Sequence, residues 1–332
     1  MLNQDRDVAL SEVLRKLKEL ATQPDRLARR SGDAAHLSPI LVDSTGRDGS
    51  TLIMRLLATS PEIVVPGPYP YEKKYFAYLW RWSRLLERRD KNDWWTQGDL
   101  ASLAQEAGKA LIGPPPWSSH LLRAAGETQA SMSRQMFDLA WCEFSRRAAN
   151  QVREEHGDPN AEVGHYAEKH QDTWLVDLDQ LPPLNVLVLL RDPRDTFVSF
   201  QAFHAIRRER GGMFEAALPS PGETPEERTI RFIEHQRERL RWIAGLSSGQ
   251  KFPLFRYEDL VTDLPRQARR LEDWLSVRLD PEVAAGDTEM RDLHVSAQTP
   301  EASVGRWSRE MRPEVAQLFN RELGEELEAL GY

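Results

Sequence analysis

The chain of 332 residues is 40% hydrophobic and 29% charged, with a formal net charge of -8. That is apolar content enough for a large core, an ordinary globular surface, and no cationic excess with which to hold a nucleic acid, so any anion site must be local. The single cysteine, Cys142, excludes an intramolecular disulfide, the start of the chain has no apolar signal segment, and no apolar run reaches the roughly 20 residues that span a bilayer, so a cytoplasmic protein without a membrane span is expected.

In chain order, Val8, Leu10, Val13, Leu14, Leu17 and Leu20 recur at helical spacing and predict a peripheral amphipathic helix over 8–30. It lies in an N-terminal extension, 1–36, ahead of a single domain, 37–332. "PILVD" predicts a strand feeding the loop "STGRDGST", after which Leu52, Ile53, Leu56 and Leu57 share a helical face until Pro61 disfavours helix at Ser60. The run from Tyr69 to Trp82 is rich in aromatic residues, and Tyr71, Tyr75, Tyr78 and Trp82 fall on one helical stripe; such a stripe is usually core, with part of it able to line a pocket beside Glu72. Lys73, Lys74, Arg81, Arg84, Arg88 and Arg89, interleaved with it, offer a face for an acidic or membrane-bound partner.

Further on, "LNVLVLL" at 184–190 predicts a buried strand, followed by Asp192 and Pro193 at the cap and first position of a helix. The Gly- and Pro-rich stretch 211–227 is a candidate loop or lid that ends where Thr224 and Glu227 form a capping box. "FPLFRY" at 252–257 predicts another strand. Strands alternating with helices predict an α/β fold, a mostly parallel sheet flanked by helices.

A strand, a glycine-containing loop and a helix N-terminus form the arrangement that binds phosphate or sulfate, because unsatisfied N–H groups and the helix dipole both face the anion. Arg47, Ser50 and Thr51 add side-chain donors. The loop is not a Walker A motif, which would need Gly at position 44 and Lys at position 50, where Ser44 and Ser50 stand. Arg191, at the carboxyl end of the second strand, and Ser199, two turns into the next helix, can face one crevice; Arg191 can equally pair with Asp192 or Asp195. His156, His165, His170, Glu162 and Glu168 match no metal-ligand spacing, so no metal is expected.

Together, "GRDGST" and "RDPRDTFVS", with Arg191 and Ser199 eight positions apart, resemble the 5′-phosphosulfate loop and 3′-phosphate motif of the sulfotransferases that use 3′-phosphoadenosine 5′-phosphosulfate (PAPS). "FPLFRYEDLVTD" at 252–263 and "SVGRW" at 303–307 resemble the family's strand ending in Tyr-Glu-Asp and its C-terminal nucleotide-binding turn. The resemblance implies a bacterial enzyme of P-loop-like sulfotransferase fold, with PAPS as donor and 3′-phosphoadenosine 5′-phosphate (PAP) as product. By similarity, the donor-loop stretch Gly46, Arg47, Asp48, Gly49, Ser50 and Thr51 holds the 5′-phosphosulfate. Arg191 and Ser199 would hold the 3′-phosphate, Tyr257 would contact the adenine, and Ser303 and Arg306 would close over the nucleotide. Two departures stand out. The Arg-Lys-Gly run of the cytosolic branch is missing, and Asp48 replaces the usual Ser, a carboxylate that costs Coulomb energy beside a phosphate unless it points away or pairs with a cation.

Sulfuryl transfer, like phosphoryl transfer, needs positioning, positive charge on the leaving group and a base for the acceptor proton. Arg47 is one cation; Lys169 is the other, because the family often carries Lys on the strand before its 3′-phosphate motif. The base is Glu72, which resembles the Glu of the carbohydrate, tyrosyl-protein and many bacterial branches, in preference to His170, which resembles the His of the cytosolic branch. A wall of Tyr69, Tyr71 and Tyr75 would raise the basicity of Glu72. The expected activity is transfer to a hydroxyl of a small molecule, carbohydrate or lipid, with an amine as second choice. The competing readings are a nucleotide-dependent kinase, disfavoured by the missing Walker lysine, and a nucleotide-binding protein that has lost catalysis through Asp48. The residues specify neither the acceptor nor the oligomeric state.

Overall fold

The computed structural model describes residues 36–67, 69–84, 126–170, 184–209, 224–247, 252–286, 297 and 299–332. The expected helix over 8–30, the stretch 211–223 and Arg88 and Arg89 lie outside them.

Among the described residues five strands, β1 (Ser38–Asp43), β2 (Ile63–Val64), β3 (His165–His170), β4 (Asn185–Leu190) and β5 (Leu254–Arg256), pair in the order β2-β3-β1-β4-β5. Every pairing is parallel. Parallel sheets need both faces covered, which is why β1 and β4 read as continuous apolar runs rather than alternating ones. One face packs Ile40, Val42, Leu187 and Leu189 against α1 (Ser50–Leu57) and α7 (Leu264–Leu275). The other packs Val186, Val188 and Leu190 against α4 (Pro193–Glu209), α5 (Pro225–Ser247) and α10 (Pro313–Ala329). A third cluster joins Leu41 and Tyr166 to α2 (Tyr75–Arg84) and α3 (Gly126–His156) through Phe76, Phe137 and Trp141. The helices α6 (Tyr257–Thr262), α8 (Pro281–Gly286) and α9 (Trp307–Glu310) are short. Among the described residues, no helix is long and apolar enough to cross a membrane.

β1 sits centrally, with β3 on one side and β4 on the other, so the chain leaves the sheet in opposite directions around it. A crevice opens at such a point, outside the carboxyl ends of the strands. The elements that line it start as their residues dictate. Asp192 caps α4, its Oδ1 accepting the Arg194 N–H at 2.9 Å. Thr224 and Glu227 form the reciprocal capping box of α5, with Glu227 N–H to Thr224 Oγ1 at 3.2 Å and Thr224 N–H to Glu227 Oε2 at 2.8 Å.

Two elements differ from expectation. β3 was not among the strands read from periodicity, because "HYAEKH" is polar. Its Glu168 and Lys169 are nevertheless buried. The aromatic stripe is reversed: α2 buries Phe76 against Phe137 and Trp141 in edge-to-face contacts, with Trp80 joining Phe137. Tyr75, Tyr78 and Trp82 are instead 44%, 62% and 45% exposed. Two adjacent faces of this helix carry aromatics, and spacing alone does not say which one meets α3.

Candidate active site

The loop after β1 turns through left-handed backbone at Gly46 (φ 84°), Arg47 (φ 60°) and Gly49 (φ 94°). Gly49 occupies the N-cap of α1 and supplies no capping side chain, so the first-turn N–H groups are not claimed by one. Ser50 is buried, and Thr51 half-buried, at that helix start. Asp48 turns inward. Its carboxylate accepts the Ser44 hydroxyl at 2.6 Å and the Thr45 N–H at 2.8 Å, while Ser44 Oγ accepts the Gly46 N–H at 2.9 Å. The Coulomb cost expected of this departure is thus met within the loop, where the buried carboxylate acts as an internal strut.

Arg47 and Arg191 meet in the crevice. Arg191 donates from Nη1 to the Arg47 carbonyl at 2.6 Å and from Nη2 to the Ser303 carbonyl at 2.8 Å. Asp192 instead pairs with Arg194 at 2.8 Å. The Arg47 side chain crosses toward α4, with Nε donating to Ser199 Oγ at 3.1 Å and the guanidinium 4.5 Å from the Phe203 ring centre. The cation assigned to the 5′ side therefore lies against the 3′ motif. Burial, and then the charge of Arg191, lower the Arg47 pKa to about 10. Arg191 Nε is buried with no hydrogen-bond partner among the described residues.

Tyr257 forms the floor. Its ring lies 4.2 Å from the Arg191 guanidinium, a cation–π contact. A Cβ added at Gly49 would fall 2.6 Å from Tyr257 Cδ2, so this approach requires glycine. The Ser303 hydroxyl gives its hydrogen to the Pro300 carbonyl at 2.5 Å, and Tyr257 must then donate to Ser303 Oγ, 2.7 Å away. The C-terminal turn is held down by Asp195, which accepts the Gly305 N–H at 2.7 Å and the Trp307 N–H at 2.8 Å. Burial pushes the Asp195 carboxyl up, while the Trp307 amide and Arg191 act against that rise. Arg306 is buried and pairs with Glu310 at 2.5 Å.

On the β3 side, Lys169 Nζ donates to Thr51 Oγ1 at 2.9 Å, to the Pro70 carbonyl at 2.6 Å and to Glu72 Oε1 at 2.8 Å. Burial lowers the Lys169 pKa, and the Glu72 bond opposes that shift. Glu72 thus pairs with Lys169 rather than with Lys73 or Lys74. Its side chain is 61% exposed instead of walled in: Tyr75 stacks on Phe144, and Tyr69 meets Tyr71 edge-on. Alternation along β3 sends Lys169 to the α1 face and His170 to the other, so it is Glu72, not His170, that shares Lys169 with the donor-type loop. His170 contributes its carbonyl, which accepts the Ser44 N–H at 2.9 Å.

Sequence reasoning missed the side chains that hold these groups in place. Glu168 is one: its buried carboxylate accepts the Phe76 and Ala77 N–H groups, each at 3.0 Å, and the Tyr166 hydroxyl at 2.8 Å. Desolvation raises its pKa to about 7. Asp43 and Arg239 are others, signalled at most by a charged residue closing an apolar run, as at Asp43, and Asp195, read only as a possible partner of Arg191, instead holds the C-terminal turn.

A model of the Sulfotransferase family matches residues 39–281 of the chain. No curated protein matches it. Among solved structures, the chain is similar to the sulfotransferase domain from the curacin biosynthetic pathway at 14% identity, with 87% of this chain and 98% of that one covered and a TM-score of 0.42. It is also similar to the sulfotransferase STF9 from Mycobacterium avium (16% identity, 94% and 80% covered, TM-score 0.40). A third likeness is to retinol dehydratase in complex with androsterone and the inactive cofactor PAP (18% identity, 89% and 84% covered, TM-score 0.38). The parallel sheet, with a glycine loop after its central strand, is the P-loop-like architecture expected.

Proposed function

The chain belongs to the sulfotransferase family, and from that premise we propose that it transfers a sulfuryl group from PAPS to a hydroxyl acceptor and releases PAP. The observation that carries the reading is the convergence of Arg47, Arg191 and Lys169 on one crevice. Two guanidiniums lie close enough for each to feel the other's charge, and among the described residues Arg191 keeps a buried N–H without an acceptor and no side chain caps α1. A doubly phosphorylated nucleotide supplies what such a pocket lacks, negative charge at two places.

The residues fit that donor. The α1 N-terminus with Ser50 and Thr51 would receive the 5′-phosphosulfate, and Arg191, Ser199 and the crossing Arg47 the 3′-phosphate. The Tyr257 ring, Ser303 and the turn at Arg306 would enclose the adenosine. When bound, the donor supplies the sulfuryl group and a phosphate leaving group. Lys169, shared between Thr51 and Glu72, brings positive charge to the donor loop beside the base. The exposed Glu72 carboxylate takes the proton from the acceptor hydroxyl. The acceptor is assigned to the class of small-molecule, carbohydrate or lipid hydroxyls, reached from the open side that carries Glu72.

In Glu72→Gln, transfer of radiolabelled sulfate from PAPS to a panel of phenols and sugars is expected to fall about 100-fold or more. PAP should still raise its melting temperature by the wild-type increment. Absence of that increment in the wild type overturns the donor, whereas turnover retained in Glu72→Gln and lost in His170→Ala overturns the base.

A further inference from the structure

We propose that Arg239, with Asp43, is a positioning residue that sets the spacing between the two anion pockets; the inference rests on the two-pocket reading above. Both side chains are sealed inside the protein, Arg239 at 2% and Asp43 at 0% exposure, so neither touches a ligand. Asp43 is the last residue of β1, and the donor loop begins directly after it. Leu189 lies on β4 two residues before Arg191, one position beyond Asp43↔Val188, the last register pair between β1 and β4. There the two strands part, and Arg239, reaching in from α5, joins them again. Its Nη1 lies 2.6 Å from Asp43 Oδ2, and its Nη2 donates to the Leu189 carbonyl at 2.6 Å.

One planar guanidinium thus fixes the ends of the two strands that carry the two pockets, just where the register pairing between those two strands stops. Removing two charges from water is expensive, and an apolar pair of similar volume would hold α5 against the sheet at least as well. What apolar packing does not provide is a fixed distance between the loop and Arg191. A ligand gripped at both ends gains from such preorganisation, because its second contact is made at high effective concentration. A ligand gripped at one end gains nothing.

That asymmetry gives the test. Calorimetry on the full chain would compare adenosine 3′,5′-bisphosphate with adenosine 5′-monophosphate and adenosine 3′-monophosphate. The variant is the double Asp43→Asn/Arg239→Met, which removes both charges and leaves neither unpaired. Bisphosphate affinity is expected to fall about 10-fold while each monophosphate changes less than about twofold, because only the two-point ligand uses the spacing. Equal weakening of all three nucleotides, or an unchanged bisphosphate, overturns the proposal. A wild type that shows no preference for the bisphosphate over the monophosphates overturns the two-pocket reading itself and takes this inference with it. Should the double variant not fold, Arg239→Lys decides by the same ratio, since a lysine keeps the charge but lacks the fork that spans both partners.

Discussion

On the β1–β4 side of the crevice, Arg191, Ser199 and Ser303 are buried and tied to residues far away in the chain. On the β3 side, Glu72 is 61% exposed. The first side has its charges fixed by several partners each; on the second Lys169 has three partners, but among the described residues the Glu72 carboxylate is held by one bond, to Lys169. Under the proposed function the difference is a division of labour. A donor that never changes rewards a rigid, desolvated pocket, whereas an acceptor that must enter and leave needs an open approach and a base within reach of solvent.

The contrast breaks most severely at Gly49. A methyl group there meets the Tyr257 ring on a left-handed backbone, so Gly49→Ala is expected to weaken PAP binding about 100-fold, or roughly 2.7 kcal/mol, by calorimetry. Gly157 is also left-handed, but an added Cβ would meet nothing within 4 Å. Gly157→Ala should therefore leave PAP binding unchanged and show only the backbone cost in its melting temperature.

A second prediction tests the exposed side through the group beneath it. Burial raises Glu168 from its ordinary 4.5 to about 7, with Tyr166, the Ala77 and Phe76 amides and Lys74 opposing. A raised carboxylate contributes stability that is complete below about pH 4.5 and is lost as the pH rises through 7, a loss of at most about 3 kcal/mol. Glu168→Gln stays neutral throughout. Its melting temperature should therefore fall less than the wild type's between pH 4.5 and pH 7.5, and an equal fall in both excludes Glu168 as the source. The smallest effect is expected at Thr224→Ala, away from both sides: loss of the capping box costs about 1 kcal/mol of stability, and PAP affinity stays unchanged.

The parts of the fold that follow local rules were legible beforehand. β1, its loop, α1, β4 and the capped starts of α4 and α5 came from apolar runs, glycines and capping residues, each read within a few positions. Arg47, Arg191, Ser199, Tyr257, Ser303 and Lys169 do gather at one crevice, and Glu72 joins them through Lys169. β3 entered only through the resemblance that put Lys169 on a strand and escaped periodicity, because its polar residues find their partners only in the folded chain, Glu168 at Phe76 and Lys169 at Thr51 and Glu72. The same holds for Asp195 with the turn at Gly305 and for Arg239 with Asp43. The buried face of α2 was read one step around the helix from where it lies, because Phe76 and Trp80 compete with Tyr75 and Tyr78 in the same pattern.

The inward carboxylate of Asp48 has a consequence for recognition. A loop that already folds around its own negative group does not wait for a visiting anion to shape it, so the ligand-free protein keeps the curve of residues 44 to 48, and an anion arriving at the start of α1 would meet a loop already formed. Substituting Ser at that position would exchange a loop preset by its own charge for one that the incoming nucleotide has to organise.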